Sequence, residues 1–149
     1  MLQTGDKAPY FEGVDQDGNI LKLTDLIKES QLVLYFYPKD STPGCTAEAC
    51  DLRDNYNRFI EKGYKIVGVS KDSQKSHMKF AEKFSLPFPL ITDPQATIIK
   101  AYESWGVKKF MGKESTGTLR KTFIINKNGI IEDIIEKVDT KAPTKQIIG

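Results

Sequence analysis

Hydrophobic positions along the chain change period from segment to segment. Residues 32–37, LVLYFY, form an unbroken apolar and aromatic run, the length and make-up of a strand buried on both faces. Residues 65–70, carrying Ile66, Val67 and Val69, read as a second buried strand. Residues 11–14 and 20–23 flank Asp17-Gly18, and residues 119–126 and 130–138 flank Asn128-Gly129. Each arrangement is a hairpin signal. Residues 86–90 carry two prolines, so only a short strand near Ile91 is expected. Helical spacing appears at Leu52, Tyr56, Phe59 and Ile60, in a segment that opens at Pro43 and closes at Gly63. Residues 73–84 fit an amphipathic helix with Met78, Ala81 and Phe84 inward and His77 on an exposed side. Thr24 caps a short helix through Leu26 and Ile27, and Asp93 caps one running through residues 98–102. Residues 106–117 read as a long connection containing lysine and glycine, and the tail closes in a last helix before Gly149.

Strand, helix, strand, helix and then a hairpin is the order of an α/β domain of thioredoxin-like fold. The expected architecture is a central mixed sheet flanked by helices, with an N-terminal β-hairpin extension. At 149 residues the chain is expected to form a single domain, 1–149, large enough to bury a core.

Charge narrows the function more than hydropathy does. Lysine and arginine number 22, aspartate and glutamate 20, for a net charge of +2. The basic residues are scattered, so no field selects nucleic acid or a membrane surface as partner. No run reaches the length of a membrane span, and MLQTGDKAPYF does not read as a signal peptide. Two cysteines without a secretion signal point to a reducing compartment, the cytoplasm, where a cysteine pair is more often catalytic than structural.

Chemistry concentrates between Pro38 and Cys50. Pro38 ends the apolar strand because it cannot donate to the sheet ladder. Thr42 is the natural N-cap of a helix starting at Pro43, which places Cys45 in the first turn. There the macrodipole and unpartnered N–H groups favour thiolate, the nucleophilic form. The plainer reading of a lone cysteine is a small buried hydrophobe. Metal binding is a poor reading, because C-x4-C with one distant histidine, His77, falls short of a ligand set.

Pro38, Thr42 and Cys45 spell P-x-x-x-T-x-x-C, and this segment resembles the active-site signature of peroxiredoxins. The longer TPGCTAEAC resembles the bacterioferritin comigratory protein, or Q-type, branch, whose second cysteine lies five residues after the first. The likeness runs from GDKAP to the closing VDT. It implies a thiol-dependent peroxidase acting on hydrogen peroxide and organic hydroperoxides, with Cys45 as the attacking thiolate and Cys50 as the resolving thiol. Recycling by a dithiol donor such as thioredoxin, a monomeric state and no cofactor belong to the same implication. It also gives Thr42 a hydrogen bond to peroxide and thiolate, and Pro38 a role in shielding the sulfur from water. The segment TLRKTFII resembles the one whose arginine reaches the nucleophile, here Arg120, with Glu48 orienting it. Taken alone, Arg120 is a solvated charge at a strand edge. Arg53 reads as an ion-pair partner of Glu48 or Asp54, and Trp105 as a packing residue.

Two other function classes share these features. A protein thiol–disulfide oxidoreductase has the same fold, but that work typically uses C-x-x-C and leaves Thr42 and Arg120 unexplained. A redox-sensing module without turnover is the third. The tail departs from the family, with Ala142-Pro143 where relatives commonly carry Asn-His.

Overall fold

The computed structural model describes residues 1–149, Phe110 by its backbone alone. The chain opens with a hairpin, β1 (Glu12–Val14) and β2 (Ile20–Lys22), and one helical turn, α1 (Leu23–Leu26). It continues through β3 (Gln31–Phe36), α2 (Pro43–Asp54), α3 (Tyr56–Glu61), β4 (Tyr64–Ser70) and α4 (Gln74–Phe84). After β5 (Leu90–Thr92) and α5 (Thr97–Ala101) come two hairpins, β6 (Trp105–Phe110) with β7 (Lys113–Thr118), then β8 (Lys121–Ile125) with β9 (Ile131–Ile135). Helix α6 (Pro143–Ile148) ends the chain.

Seven strands make the central sheet, in the order β2-β1-β5-β4-β3-β8-β9. Strands β3, β4 and β5 run parallel, while β8 and β9 on one side and the β1–β2 hairpin on the other are antiparallel additions. This is the expected thioredoxin-like mixed sheet with its N-terminal hairpin extension. Strand β3 lies inside it, between β4 and β8, and alternation along it divides the interior in two. Leu32, Leu34 and Phe36 point to one face, where they pack with Val67, Val69, Phe123 and Ile99 of α5. Val33, Tyr35 and Tyr37 point to the other, against Cys45 and Leu52 of α2, Phe59 of α3 and Phe80 of α4. Cys45 is therefore held on the second face.

Several elements differ from the pattern. The signal over residues 43–63 resolves into two helices, α2 and α3, which meet at Asn55, where the side-chain amide and the backbone N–H share the Asp51 carbonyl at 2.9 and 3.2 Å. Helix α4 starts as expected after Ser73, whose side chain accepts from the Ser76 N–H, but its inward face carries His77 and Phe80. Met78, expected inside, is exposed. Helix α1 begins at Leu23 rather than after Thr24, since Leu23 and Leu26 both bury against the core. Residues 106–117, expected to be a connection, form the β6–β7 hairpin, closed by Met111 and Gly112 at φ 52 and 79. Both residues in the left-handed region match the twist of a two-residue hairpin turn.

Candidate active site

The loop from Pro38 to Thr42 carries the chain from β3 into α2. Pro38 is half-buried at the end of the strand, as expected. Thr42 does hold the N-cap position, with extended backbone angles, but its hydroxyl does not cap α2. It donates instead to the Lys39 carbonyl at 2.7 Å, back across the loop. The helix start thus keeps backbone N–H groups facing outward near Cys45, in the positive end of the dipole. Cys45 lies in the first turn of α2 and is 1% exposed, while Cys50 is half-buried in the same helix. Both are free thiols.

Arg120, just ahead of β8, extends over this helix start. Its Nη1 lies 3.4 Å from Glu48 Oε1, and Nη2 would be 2.8 Å from a Cβ placed on Gly44. Only glycine at 44 leaves room for the guanidinium there. The reading of Arg120 as a solvated strand-edge charge is corrected by this position. Glu48 is fully buried, and burial raises its carboxyl from 4.5 to about 7 against the opposing pull of Arg120. Its Oε2 has no hydrogen-bond partner among the described residues. Arg53 pairs with Asp54 at 2.9 Å and donates to the Phe84 carbonyl, away from the site. Trp105 packs partly buried against the core, with the ammonium groups of Lys71 and Lys100 5.0 and 5.5 Å from its ring centre.

Two groups near the site gave no signal in the sequence. Lys108 of β6 has its ammonium pulled down by burial and by the Arg120 charge and pulled up by Cys45. His77 lies fully buried beneath the Pro38–Thr42 loop, bonded to Asp40. Its expected exposure is corrected; Ser76 and Lys79 around it gave that part of α4 an exposed look.

A buried thiol at a helix start, beside an arginine brought by a neighbouring strand, matches known proteins over almost the whole chain. Residues 4–134 match the AhpC/TSA family. The chain belongs to that family. It is a peroxiredoxin of the bacterioferritin comigratory protein branch. It is 46% identical over 140 residues to the peroxiredoxin Bcp of Bacillus subtilis, covering 94% of this chain and 88% of that one. Against the peroxiredoxin Bcp of Escherichia coli K12 the identity is 40% over 139 residues, with 93% and 88% covered. Among solved structures, peroxidoxin BcpB of Mycobacterium tuberculosis superposes with a TM-score of 0.87 at 33% identity, over 98% of this chain and 94% of that one. The bacterioferritin comigratory protein of Xanthomonas campestris gives 0.85 at 34% identity, over 92% and 87%. The chain is accordingly a thiol-dependent peroxidase, an oxidoreductase that takes hydroperoxides and a thiol reductant. No helix among the described residues is long and apolar enough to cross a membrane.

Proposed function

We propose that Cys45 is the nucleophile, Cys50 the resolving thiol, and Thr42, Arg120 and Pro38 the groups that shape the peroxide pocket. The observation that carries this reading is Arg120 reaching Gly44 and Glu48 in the first two turns of α2, on either side of Cys45 in the sequence. The Cys45 thiolate attacks one peroxide oxygen and the O–O bond breaks. The other oxygen leaves as alkoxide or hydroxide and takes up a proton, giving alcohol or water. Arg120 lies where negative charge builds as that bond breaks, and a guanidinium there lowers the barrier. Cys45 is left as a sulfenic acid. The Cys50 thiolate then attacks its sulfur, the S–S bond forms as the S–O bond breaks, and the departing hydroxide takes up a proton to leave as water. A dithiol donor, in our reading thioredoxin, reduces that disulfide by exchange and becomes oxidised itself.

The substrates are hydrogen peroxide and organic hydroperoxides. Support for the second comes from the X. campestris relative, which is described for alkyl peroxide reduction. We place the enzyme in the cytoplasm as a monomer, with residues 1–149 as one domain carrying the whole reaction and no metal or prosthetic group required. The decisive measurement is mass spectrometry of peroxide-treated protein before and after addition of thioredoxin and its reductase. Wild type should show a disulfide that thioredoxin removes. Cys45→Ser should lose peroxide turnover, since an unactivated hydroxyl does not replace a thiolate. Cys50→Ser should stop at sulfenic acid. Equal turnover in wild type and Cys45→Ser would defeat the assignment.

A further inference from the structure

Beneath the loop that leads into α2 lies a closed set of polar side chains. The His77 and Asp40 side chains are 0% and 2% exposed, with Nδ1 2.7 Å from Oδ2. His77 Nε2 lies 3.0 Å from the Ile91 carbonyl, which only accepts, so Nε2 carries a proton and points into β5. Asp40 also accepts from the Tyr37 hydroxyl at 2.6 Å and the Ser76 hydroxyl at 2.8 Å. Burial, reinforced by Tyr35 and Asp40, raises the Tyr37 phenol well above its usual value and keeps it a donor. Behind Asp40, Asp72 Oδ2 accepts from the Asp40 N–H at 2.9 Å and the Ser70 hydroxyl at 2.6 Å. Asp40, Asp72 and His77 converge within 4.8 Å. Protein donors already occupy the atoms that a cation would take, so this is a hydrogen-bonded knot rather than a metal site.

The knot sits where the backbone needs holding. Ser41, between Asp40 and Thr42, has φ 63, a left-handed conformation that a serine adopts only when its surroundings fix it. Asp40 is tied on one side of Ser41 to His77 of α4, to Tyr37 just past β3 and to Asp72 just past β4. Thr42 is tied on the other by its bond to Lys39. The first turn of α2 with Cys45 hangs from this segment, three residues beyond Thr42.

We propose that His77 is a positioning residue for the peroxide step, holding Asp40 so that the strained loop presents Thr42 and Cys45 in the reactive geometry. The proposal rests on the nucleophilic role given to Cys45 above. Two isosteres separate its parts. Asparagine places its amide nitrogen near Nδ1 and keeps the bond to Asp40, whereas glutamine places its own near Nε2 and keeps only the bond to Ile91. In a Cys50→Ser background, the rate of sulfenic acid formation is read by quenched flow and dimedone trapping, well below each variant's melting temperature. His77→Gln should slow it about tenfold or more, since small misplacements of reacting groups carry penalties of that order. His77→Asn should stay near the parent, although both lower the melting temperature. Tyr37→Phe keeps the packed ring, removes a different donor to Asp40 and should slow the step in the same sense. Equal rates for the two isosteres, or a Tyr37→Phe rate equal to the parent, overturn the proposal. An unreactive Cys45 in the parent overturns the nucleophile assignment and this role with it.

Discussion

Arg120 reaches the start of α2 because residue 44 has no side chain. An alanine there would bring its Cβ within 2.8 Å of Nη2, and the flexible guanidinium would move rather than the backbone. Gly44→Ala is therefore expected to leave stability nearly unchanged yet slow peroxide attack, and Arg120→Ala to slow it about a hundredfold, the scale for losing one preorganised donor. Stopped-flow oxidation of Cys45 beside its alkylation rate at pH 7 reads both effects. An Arg120→Ala variant with wild-type rates would make Arg120 a bystander. Glu48 leads to a different prediction. Its carboxyl in the fold, at about 7, lies above the 4.5 of the unfolded chain, so the native state binds more protons between those values. Its contribution to stability is complete below pH 4.5 and lost as pH rises toward 7. With 1.36 kcal/mol for each unit, the loss is about 3 kcal/mol at most. Urea unfolding from pH 4.5 to 7.5 should show that decline in wild type relative to Glu48→Gln. Parallel curves for the two proteins would refute it.

At the scale of elements, both cysteines lie within α2. Five helical residues rise about 7.5 Å and turn about 140° on a radius of about 2.3 Å, so the two Cα atoms stand roughly 8.7 Å apart. A disulfide tolerates at most about 7 Å, with the Cβ vectors converging. The first turns of α2 must therefore unwind before Cys50 meets Cys45. The far half of the helix is fastened. Asp51 accepts from the Thr144 N–H of α6 at 3.0 Å, and Arg53 donates to the Phe84 carbonyl at 2.8 Å. Opening should stop at Asp51. Amide exchange is expected to show protection of residues 46–54 in the reduced protein and its loss in the disulfide form, because those N–H groups bond carbonyls of residues 42–50, whereas the Asn55 N–H, bonded to the Asp51 carbonyl at 3.2 Å, stays protected in both. Equal protection of residues 46–54 would mean that the helix never opens. Slow opening also leaves sulfenic acid time to reach sulfinic acid. The two ends of this helix differed in legibility. Pro43 and the cysteine spacing were plain in the sequence, because helix starts and side-chain periods are local. The Asp51–Thr144 fastening joins residues 93 apart and has no local signature. The β6–β7 hairpin escaped for another reason: most of its side chains face water on both sides, so no alternation marks it, and Met111-Gly112 is not a usual turn pair. His77 escaped because one inward polar residue in a helix of charges reads as outward.

For the molecule as a whole, the run at residues 32–37 foretold a strand buried on both faces, and β3 is that strand. What the run did not foretell is which face carries the chemistry, since that depends on where α2 lands. Its residues alternate between a face made with α1 and α5 and a face made with α2, α3 and α4. Leu34 and Leu52 are both essentially inaccessible, on opposite sides of the sheet. Either leucine cut to alanine should cost about 2–5 kcal/mol, the range for buried leucines. For a protein of this size that lowers the melting temperature by roughly 5–15 °C. Their effects on the cycle should part. Leu34→Ala loosens the face away from Cys45 and should leave disulfide formation at its wild-type rate. Leu52→Ala removes the core anchor next to the point where opening stops, lets unwinding run past Asp51 and should speed Cys50 attack on the sulfenic acid. Less sulfinic acid should then accumulate at high peroxide. Rapid-mixing kinetics of disulfide formation, with sulfinic acid quantified by mass spectrometry, compare the two variants. Equal acceleration in both would show that α2 opens only as part of global unfolding, and that the two faces of the sheet do not act separately.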